Sequence, residues 1–471
     1  MNRSKYLFKN ILLLGLNSIG TRVIVFFLVP LYTNVLTTRE YGIVDLFTTI
    51  LVVMIPITTL NISEAVMRFS MDKDVPLDDI SRIANLFIIL SIVLCISIYP
   101  IVSFFPELEP YKNYLFLYAA ADSVYQTAVY NLRGREQLSD FALSNIIQTL
   151  LIALLNIFFL LILKIGLQGY FLAYAIANLI GATYAFVRGK LYRGFKKLHI
   201  NKELAREMLK YSIVLVPNSF MWWIMNSADR IMVTSMVGLS QNGIYGVSYK
   251  IPTIMSTMAG VFNQAWNYTA VKESTSKDKD EINNYVFDKL VRIVIILVAF
   301  ILVIPKPFMS LYVSSEFFVA WKFVPPLLIG FGFMTIGTFL SSAYTVYKDS
   351  KGFLISGSIG AIVNIALNFL LIPLIDTMGA AIATCLSYIA VFIYRWRDTK
   401  KYMVIKKPGK SVFLCMLCVL MMSLLVYIQS QVILFFEIIL FISVILINRK
   451  LFVLVGSYFK TLILKRKKDE K

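Results

Sequence analysis

Apolar runs of about twenty residues recur from one end of the chain to the other, the length a helix needs to cross roughly 30 Å of hydrocarbon. The pattern predicts an all-α integral membrane protein with about 14 transmembrane helices. The first run is too long for a signal-peptide core and lacks a cleavage site, so we expect it to be retained. The runs are 11–36, 42–62, 83–105, 114–132, 141–163, 167–187, 212–237, 243–266, 293–311, 323–347, 353–375, 379–394, 412–428 and 432–447.

The composition agrees with a chain that lies mostly in lipid. Hydrophobic residues make up 58% of the 471 residues and charged residues 15%, whereas a soluble domain has about 45–50% and 25%. A net charge of +19 would favour nucleic-acid binding only if it formed a soluble basic face. Here the basic residues lie in the loops between apolar runs, so no nucleic-acid partner is indicated.

The distribution of basic residues predicts the orientation. If the N-terminus is cytoplasmic, the inner segments hold 38 Lys and Arg, and the outer side holds five when Lys306, in the outer half of the span 293–311, is counted with the outer loops. Such a bias is the signature of cytoplasmic loops. An even number of spans then predicts that both termini are cytoplasmic, and the short outer loops leave no room for a folded external domain.

Two long basic connectors divide the spans into groups of six, six and two. The predicted organisation is an N-terminal six-helix lobe, a basic cytoplasmic linker, a C-terminal six-helix lobe, a basic cytoplasmic loop, an accessory helix pair and a basic cytoplasmic tail. In that order the segments are 1–187, 188–211, 212–394, 395–411, 412–447 and 448–471.

The two six-span blocks show traces of an internal duplication. Leu-Asn-Ser at 16–18 aligns with Pro-Asn-Ser at 217–219, and Gly-Ile-Val at 42–44 with Gly-Ile-Tyr at 243–245, both at an offset of 201. Because each block has an even number of spans, the repeats are parallel and related by an axis along the membrane normal. Two pseudo-symmetric lobes of this kind are expected to enclose a cleft that opens alternately to each side.

Polar residues inside the spans are the candidates for that cleft. A charge at the bilayer centre costs about 2.5–3.5 kcal/mol on insertion scales, so it usually faces protein or a water-filled cavity. The seventh span carries a polar and aromatic stripe at helical spacing, and Arg22 lies near the middle of the first. The candidate substrate-binding residues are Arg22, Asn218, Trp222, Trp223, Asn226, Asp229, Arg230 and Lys250. Asp122 and Asp229 are candidates for ion coupling.

A structural interpretation of the same residues stays open. Arg22 with Asp122, or Lys250 with Asp229, are also candidates for buried pairs that fix helix packing, and Trp is common at membrane interfaces. Asp45 and Glu64 lie near span ends, where we expect them to reach water. The intramembrane charges sum to zero, so charge alone does not predict an anion-selective cavity.

Metal, redox and nucleotide chemistry are not indicated. All four cysteines lie in apolar runs, and the pair Cys415 and Cys418 is interpreted as small packing residues. The single histidine, His199, lies in a basic loop. No phosphate-binding loop is evident, so neither a cofactor nor a metal is predicted.

Three motifs resemble the polysaccharide-biosynthesis export family. They are MNSADR at 225–230, NGIYGVSYKIP at 242–252 and FNQAW at 262–266. The family comprises bacterial flippases of lipid-linked oligosaccharides for O-antigen, capsule or exopolysaccharide, within the multidrug/oligosaccharidyl-lipid/polysaccharide (MOP) superfamily. The resemblance covers essentially the whole chain, including the arrangement of six, six and two spans.

The resemblance implies a non-enzymatic flippase in the bacterial plasma (inner) membrane. Its substrate would be an undecaprenyl-pyrophosphate-linked glycan moved from the inner to the outer leaflet between two lobes arranged in a V. Arg22 and Arg230 are the best-placed matches to cavity arginines that hold the pyrophosphate, although the neutral charge sum departs from the strongly cationic cavity of some members. The implied partners are the lipid-linked oligosaccharide, membrane lipid, and a polysaccharide polymerase with its chain-length machinery.

Two other functions are alternatives to this one. A cation-coupled drug or metabolite antiporter of the same superfamily would normally end at twelve spans, so the accessory pair counts against it. A membrane glycan polymerase, ligase or acyltransferase usually needs a sizeable outer loop for its catalytic residues, and the sequence has none.

Overall fold

A computed structural model describes residues 20–72, 74–102, 106–195, 200–273, 276–428 and 430–453. Throughout these residues the regular structure is helical, and no strand occurs among them. The predicted all-α integral membrane fold is therefore confirmed. Asn17, Ser18, His199 and most of the tail at 448–471 lie outside the described residues, as do the side chains of Asn218 and Trp222.

The helices follow the predicted spans in order. They are α1 Gly20–Val35, α2 Thr38–Thr59, α3 Ile62–Ser70, α4 Leu77–Val102, α5 Lys112–Gly134, α6 Leu138–Asn156, α7 Gly166–Arg188, α8 Lys202–Ile213, α9 Leu215–Met236, α10 Leu239–Ser248, α11 Pro252–Lys272, α12 Lys279–Val303, α13 Pro305–Tyr312, α14 Val324–Val346, α15 Ser350–Asp398, α16 Lys410–Leu425 and α17 Gln431–Ile447. A π-helical turn, Ile157–Ile162, extends α6. Residues 11–19 of the first predicted span and 103–105 of the third lie outside the described residues. Within the described residues, each predicted span coincides with one helix, part of one helix or two successive helices.

Several helices begin or end at residues other than those that the hydropathy pattern predicts, because of capping residues, left-handed residues and proline. Helix α2 begins at Thr38 because Thr37 forms a capping box with Glu40. It ends at Thr59 because Leu60 and Asn61 are left-handed, with φ of 51° and 52°. The predicted eighth span is divided between α10 and α11, and Pro252 opens the second of these helices.

The eleventh and twelfth predicted spans are parts of one long helix, α15. Ile375 and Asp376 have non-helical backbone angles inside it, so α15 is kinked where the sequence predicts a short outer loop.

Apolar length identifies the helices best suited to cross a bilayer. Among the described residues six satisfy a strict criterion of length and composition: Thr38–Thr59, Leu77–Ile96, Leu138–Ile162, Gly166–Arg188, Ser315–Val346 and Ser350–Lys401. Three shorter apolar helices are Gly20–Val35, Lys410–Leu425 and Val432–Ile447. Helices α5 and α9 contain Asp122 and the pair Asp229 and Arg230, respectively, so polar residues interrupt their apolar sequence.

The chain forms two compact units. The first comprises Met1–Val247 with Tyr312–Phe317, and the second comprises Ser248–Leu311 with Phe318–Lys471. Helix α9 belongs to the first unit because it packs along α2, whereas the sequence assigns it to the second predicted lobe. The predicted lobe boundaries stay a prediction.

Each unit has its own packed interior. In the first unit, apolar side chains of α3, α4, α5, α7 and α8 form one cluster, which includes Ile62, Ile83, Leu132 and Met208. In the second unit α14 packs along α15. There the buried guanidinium of Arg395 donates to Ser356 Oγ (3.1 Å) and to the carbonyl oxygen of Gly337 (3.1 Å).

Candidate functional site

Two glycines allow helices α2 and α10 to touch along their backbones. A methyl group added to Gly42 would overlap the carbonyl oxygen of Leu239, and one added to Gly243 would overlap that of Thr38. Gly42 and Gly243, like Thr38 and Leu239, are 201 residues apart, which is the offset of the predicted repeat. The contact is therefore self-complementary, as expected where a pseudo-two-fold axis passes between equivalent helices.

An ion pair lies one turn beyond this crossing. Arg230 of α9 donates through Nη1 to Oδ1 of Asp45 on α2, at 2.7 Å. The side chain of Asp45 is only 4% exposed, against 17% for Arg230. A methyl group on Gly246 would lie 2.6 Å from the same Asp45 oxygen. A glycine at position 246 thus leaves room for the carboxylate.

The burial of Asp45 corrects the expectation that it reaches water. Its position near the start of the span suggested solvent access, but the close approach of α10 covers it. Gly42, Asp45 and Thr49 are three and four residues apart and so share one face of α2. That spacing, together with the glycine repeat, is the sequence signal by which Asp45 could have been found.

Asp229, the neighbour of Arg230, faces α10. Its Oδ2 accepts a hydrogen bond from the Tyr245 hydroxyl at 2.7 Å, and its Oδ1 accepts from the backbone N–H of Arg230 at 3.0 Å. The side chain is buried. Helix α9 therefore presents adjacent charges of opposite sign to two different helices.

Two further residues of the stripe on α9 contact α2 and the turn that follows it. The indole N–H of Trp223 donates to the carbonyl oxygen of Thr49 (2.7 Å), and Asn61 Nδ2 donates to Ser219 Oγ (3.1 Å). Trp223 stacks on Phe220 with ring centroids 5.6 Å apart. The structure thus brings Trp223 and Arg230 together against α2, where Arg230 meets Asp45, while Asp229 contacts α10.

The other predicted site residues lie elsewhere. Arg22 is exposed on α1, and Asn226 is half-buried on α9. Lys250 is half-buried at the break between α10 and α11, in the second unit. The substrate-binding role of all these residues stays a prediction.

Asp122 lies in an amide network inside the first unit. Its carboxylate accepts from Gln126 Nε2 (2.7 Å) and Asn178 Nδ2 (3.1 Å), and Gln148 Nε2 donates in turn to Asn178 Oδ1 (2.7 Å). This network connects α5, α6 and α7. No group of three or more His, Cys, Asp or Glu side chains suited to a metal ion occurs in the described part of the chain.

The contact between α2 and α9 includes a buried ion pair. Removing one partner of a buried pair typically costs about 3–5 kcal/mol, because the other charge is left uncompensated. A guanidinium binds phosphate as well as carboxylate, often through two parallel N–H donors. Arg230 is the more exposed partner of the pair.

The region around α2, α9 and α10 lies within a match to a known protein family. Residues 7–268 match the family described as polysaccharide biosynthesis protein, and this range contains the whole α2–α9–α10 contact. The uncharacterized membrane protein MJ1375 of Methanocaldococcus jannaschii is 24% identical over 252 residues. That alignment covers 50% of this chain and 59% of the relative.

Solved structures share the fold at low sequence identity. The lipid II flippase MurJ in an inward closed conformation has a TM-score of 0.63 and 16% identity, covering 96% of this chain and all of that one. The MATE transporter VcmN of Vibrio cholerae has a TM-score of 0.60 and 11% identity. A MOP superfamily transporter from Pyrococcus furiosus has a TM-score of 0.59 and 14% identity. Each of these two covers 84% of this chain and 96% of its own. The fold is therefore that of MurJ and MATE transporters.

Proposed function

This chain belongs to the polysaccharide biosynthesis protein family, and from that premise we propose that it is a flippase. It moves a polyprenyl-(pyro)phosphate-linked oligosaccharide repeat unit from the inner to the outer leaflet of the bacterial plasma membrane by alternating access. The observation that carries the proposal is the buried Asp45–Arg230 pair beside the crossing of two repeat-related helices.

Arg230 binds the pyrophosphate in this proposal, and Asp45 is its counter-ion when no substrate is bound. The guanidinium exchanges one carboxylate for a phosphate, so it remains paired in both states and avoids the cost of an isolated buried charge. Its planar fork of donors suits two phosphate oxygens. The greater exposure of the arginine supports this division of roles.

The glycine crossing of α2 and α10 acts as a gate. Helices that touch along their backbones at Gly42 and Gly243 have few side chains to disengage at that point. Such a contact can part and close again without repacking large side chains. The exchange at Arg230, one turn away, couples substrate binding to this separation.

The membrane potential supplies the driving force. Outward movement of negative charge from a negative interior is favoured by about 2.3 kcal/mol per charge per 100 mV. A pyrophosphate carries about two such charges, so the lipid-linked substrate needs no bound nucleotide. Asp122 and Asp229 remain the positions at which proton or sodium coupling would act.

The accessory helix pair favours this proposal over a drug or metabolite antiporter. The MATE fold covers 84% of this chain, whereas the MurJ fold covers 96%. A twelve-helix antiporter has no counterpart for α16 and α17. Both helices belong to the second unit.

Deletion of the gene in a strain without a paralogue tests the proposal. We expect the lipid-linked repeat unit to accumulate on the cytoplasmic leaflet and surface polysaccharide to be lost, with both restored by the wild-type gene. Normal surface polysaccharide in the deletion strain would contradict the proposed function. Altered drug susceptibility with normal polysaccharide would favour the antiporter.

A further inference from the structure

A groove lies among helices α12, α14, α15 and α16 of the second unit. Its volume is about 590 Å³, within the range of roughly 300–1,000 Å³ typical of ligand sites. Ten of its twelve lining residues are apolar, and the two charged ones are Arg397 and Lys407. An apolar groove with two cations matches a molecule that has a hydrocarbon chain and an anionic head.

The walls of the groove are built by packed aromatic rings. Phe287 and Trp396 have ring centroids 5.4 Å apart, and Phe333 and Phe392 are separated by the same distance. Phe413, on α16, is 63% exposed, so the groove opens toward the surroundings of the helix bundle. In a bilayer those surroundings are lipid, and a hydrocarbon chain is the natural occupant.

Arg397 and Lys407 are available to bind an anion. Both are exposed, and neither takes part in an ion pair among the described residues. Two nearby carboxylates have other partners. Asp398 accepts from Tyr344 and Lys401, and Asp288 pairs with Arg292.

The loop that carries Lys407 is fixed to helix α12. Asn284 Nδ2 donates to the carbonyl oxygen of Val404 (2.7 Å), and the backbone N–H of Lys406 donates to Asn284 Oδ1 (2.6 Å). One amide side chain therefore holds the loop on both sides of residue 405. This fixes the backbone next to Lys407 at the groove.

We propose that this groove binds an anionic phospholipid, with one acyl chain against the aromatic wall and the phosphate between Arg397 and Lys407. Basic pockets between transmembrane helices on the cytoplasmic side are typical sites for anionic headgroups, and the sequence predicts that loop 395–411 is cytoplasmic. The bound lipid joins the accessory helix α16 to α12 and α15. This inference is independent of the proposed function, because all the lining residues belong to the second unit and none is assigned to the cargo.

The test compares lipid retention by full-length variants. Protein purified from nanodiscs of equal phosphatidylglycerol and phosphatidylcholine is released into mild detergent, and the retained lipid is identified by native mass spectrometry. We expect the wild-type chain to retain one phosphatidylglycerol in preference to phosphatidylcholine. In the Arg397→Gln/Lys407→Gln variant this preference is expected to fall by about 25-fold, since each of the two cations near an anionic headgroup contributes roughly fivefold.

Two further variants separate the groove from general surface charge. Met416→Trp places a bulky indole in the groove and is expected to reduce retention of both lipids. Lys400→Gln/Lys410→Gln removes two exposed cations that do not line the groove, and it is expected to retain phosphatidylglycerol like the wild type.

Three results would overturn the inference. They are wild-type retention by the Arg397→Gln/Lys407→Gln variant, an equal loss in the Lys400→Gln/Lys410→Gln control, and displacement of phosphatidylglycerol by an equimolar amount of polyprenyl phosphate. The last result would assign the groove to the cargo instead of a membrane phospholipid. Thermal unfolding of every variant shows whether the fold is intact.

Discussion

The guanidinium of Arg230 and the carboxylate of Asp45 meet at 2.7 Å, although 185 residues separate them in the chain. The pair joins α9 to α2 beside the glycine crossing of α2 and α10. Because Asp45 is almost fully buried, its charge depends on Arg230 for compensation. The contact is therefore where stability and the proposed transport cycle are most directly connected.

Neutralising both members of the pair separates its two roles. Arg230→Gln alone leaves a buried carboxylate and is expected to reduce the free energy of unfolding by about 3–5 kcal/mol. Asp45→Asn/Arg230→Gln removes the uncompensated charge and should recover most of that stability, yet export should remain at least tenfold below wild type. Thermal unfolding in detergent and surface-polysaccharide assays measure the two effects.

The pair Asp140–Arg188, in which the arginine is exposed, is the matched control. Its atoms lie 2.9 Å apart and Arg188 is 57% exposed, so Asp140→Asn/Arg188→Gln should change stability by less than about 1 kcal/mol. Wild-type export by the Asp45→Asn/Arg230→Gln variant would show that the buried pair is structural only.

The shape of the cation at position 230 also matters in the proposed site. Arg230→Lys keeps the charge but loses the planar fork, whereas Arg230→Ala loses both. We expect export in the order wild type, Arg230→Lys, Arg230→Ala at matched protein levels. Near-normal export by both variants would remove Arg230 from the substrate site.

The glycine crossing predicts an effect of a single added methyl group. Gly243→Ala would overlap the backbone carbonyl of Thr38, so α2 and α10 must move apart at a cost of about 1–3 kcal/mol. Gly42→Ala should behave alike, because the contact is symmetric. The melting temperature of the purified protein measures the change.

Gly260 provides the control for this series. A methyl group there meets nothing within 4 Å, and a helical glycine replaced by alanine without strain stabilises by about 0.4–1 kcal/mol. A melting temperature for Gly243→Ala at or above that of Gly260→Ala would mean that the helices do not touch at the glycines.

The proposed energy source predicts a dependence on voltage. In proteoliposomes, a potential of 100 mV that favours movement of two negative charges contributes about 4.6 kcal/mol. Flipping of a pyrophosphate-linked lipid should therefore persist without a proton or sodium gradient and reverse its preferred direction when the potential is reversed. Strict dependence on either ion gradient would instead indicate coupling through an intramembrane carboxylate.

Asp349 predicts a pH effect outside the membrane-spanning segments. The backbone N–H of Gly352, the Tyr402 hydroxyl and the Lys401 ammonium lower the pKa of Asp349 to about 2. Since the pKa is depressed on folding, the stabilisation is present above the unfolded value near 4 and is lost as the pH falls toward 2. The difference in melting temperature between the wild type and Asp349→Asn should therefore shrink between pH 5 and pH 2.5.

The control for the pH series is Glu203→Gln, which alters an exposed carboxylate at the start of α8. The difference in melting temperature between Glu203→Gln and the wild type should be small at every pH. If the difference in melting temperature between Asp349→Asn and the wild type stays constant down to pH 2.5, the pKa of Asp349 is not depressed.

The sequence by itself determined the helical membrane fold, the order of the spans and the polar stripe on α9. Apolar length and helical spacing depend only on neighbouring residues, so they can be read without knowing which helices meet. The offset of 201 between Gly42 and Gly243 likewise appears in the sequence, and the structure shows that these two glycines lie in one contact.

Only the tertiary structure decided the partners of the polar residues. Asp45 is buried because Gly42 and Gly243 let α10 approach closely, and it pairs with Arg230 because α9 packs along α2. The helix break before Pro252 and the kink at Asp376 also depend on backbone geometry that hydropathy does not record. Which charges compensate each other is set by packing between helices far apart in the chain, and no local pattern encodes that choice.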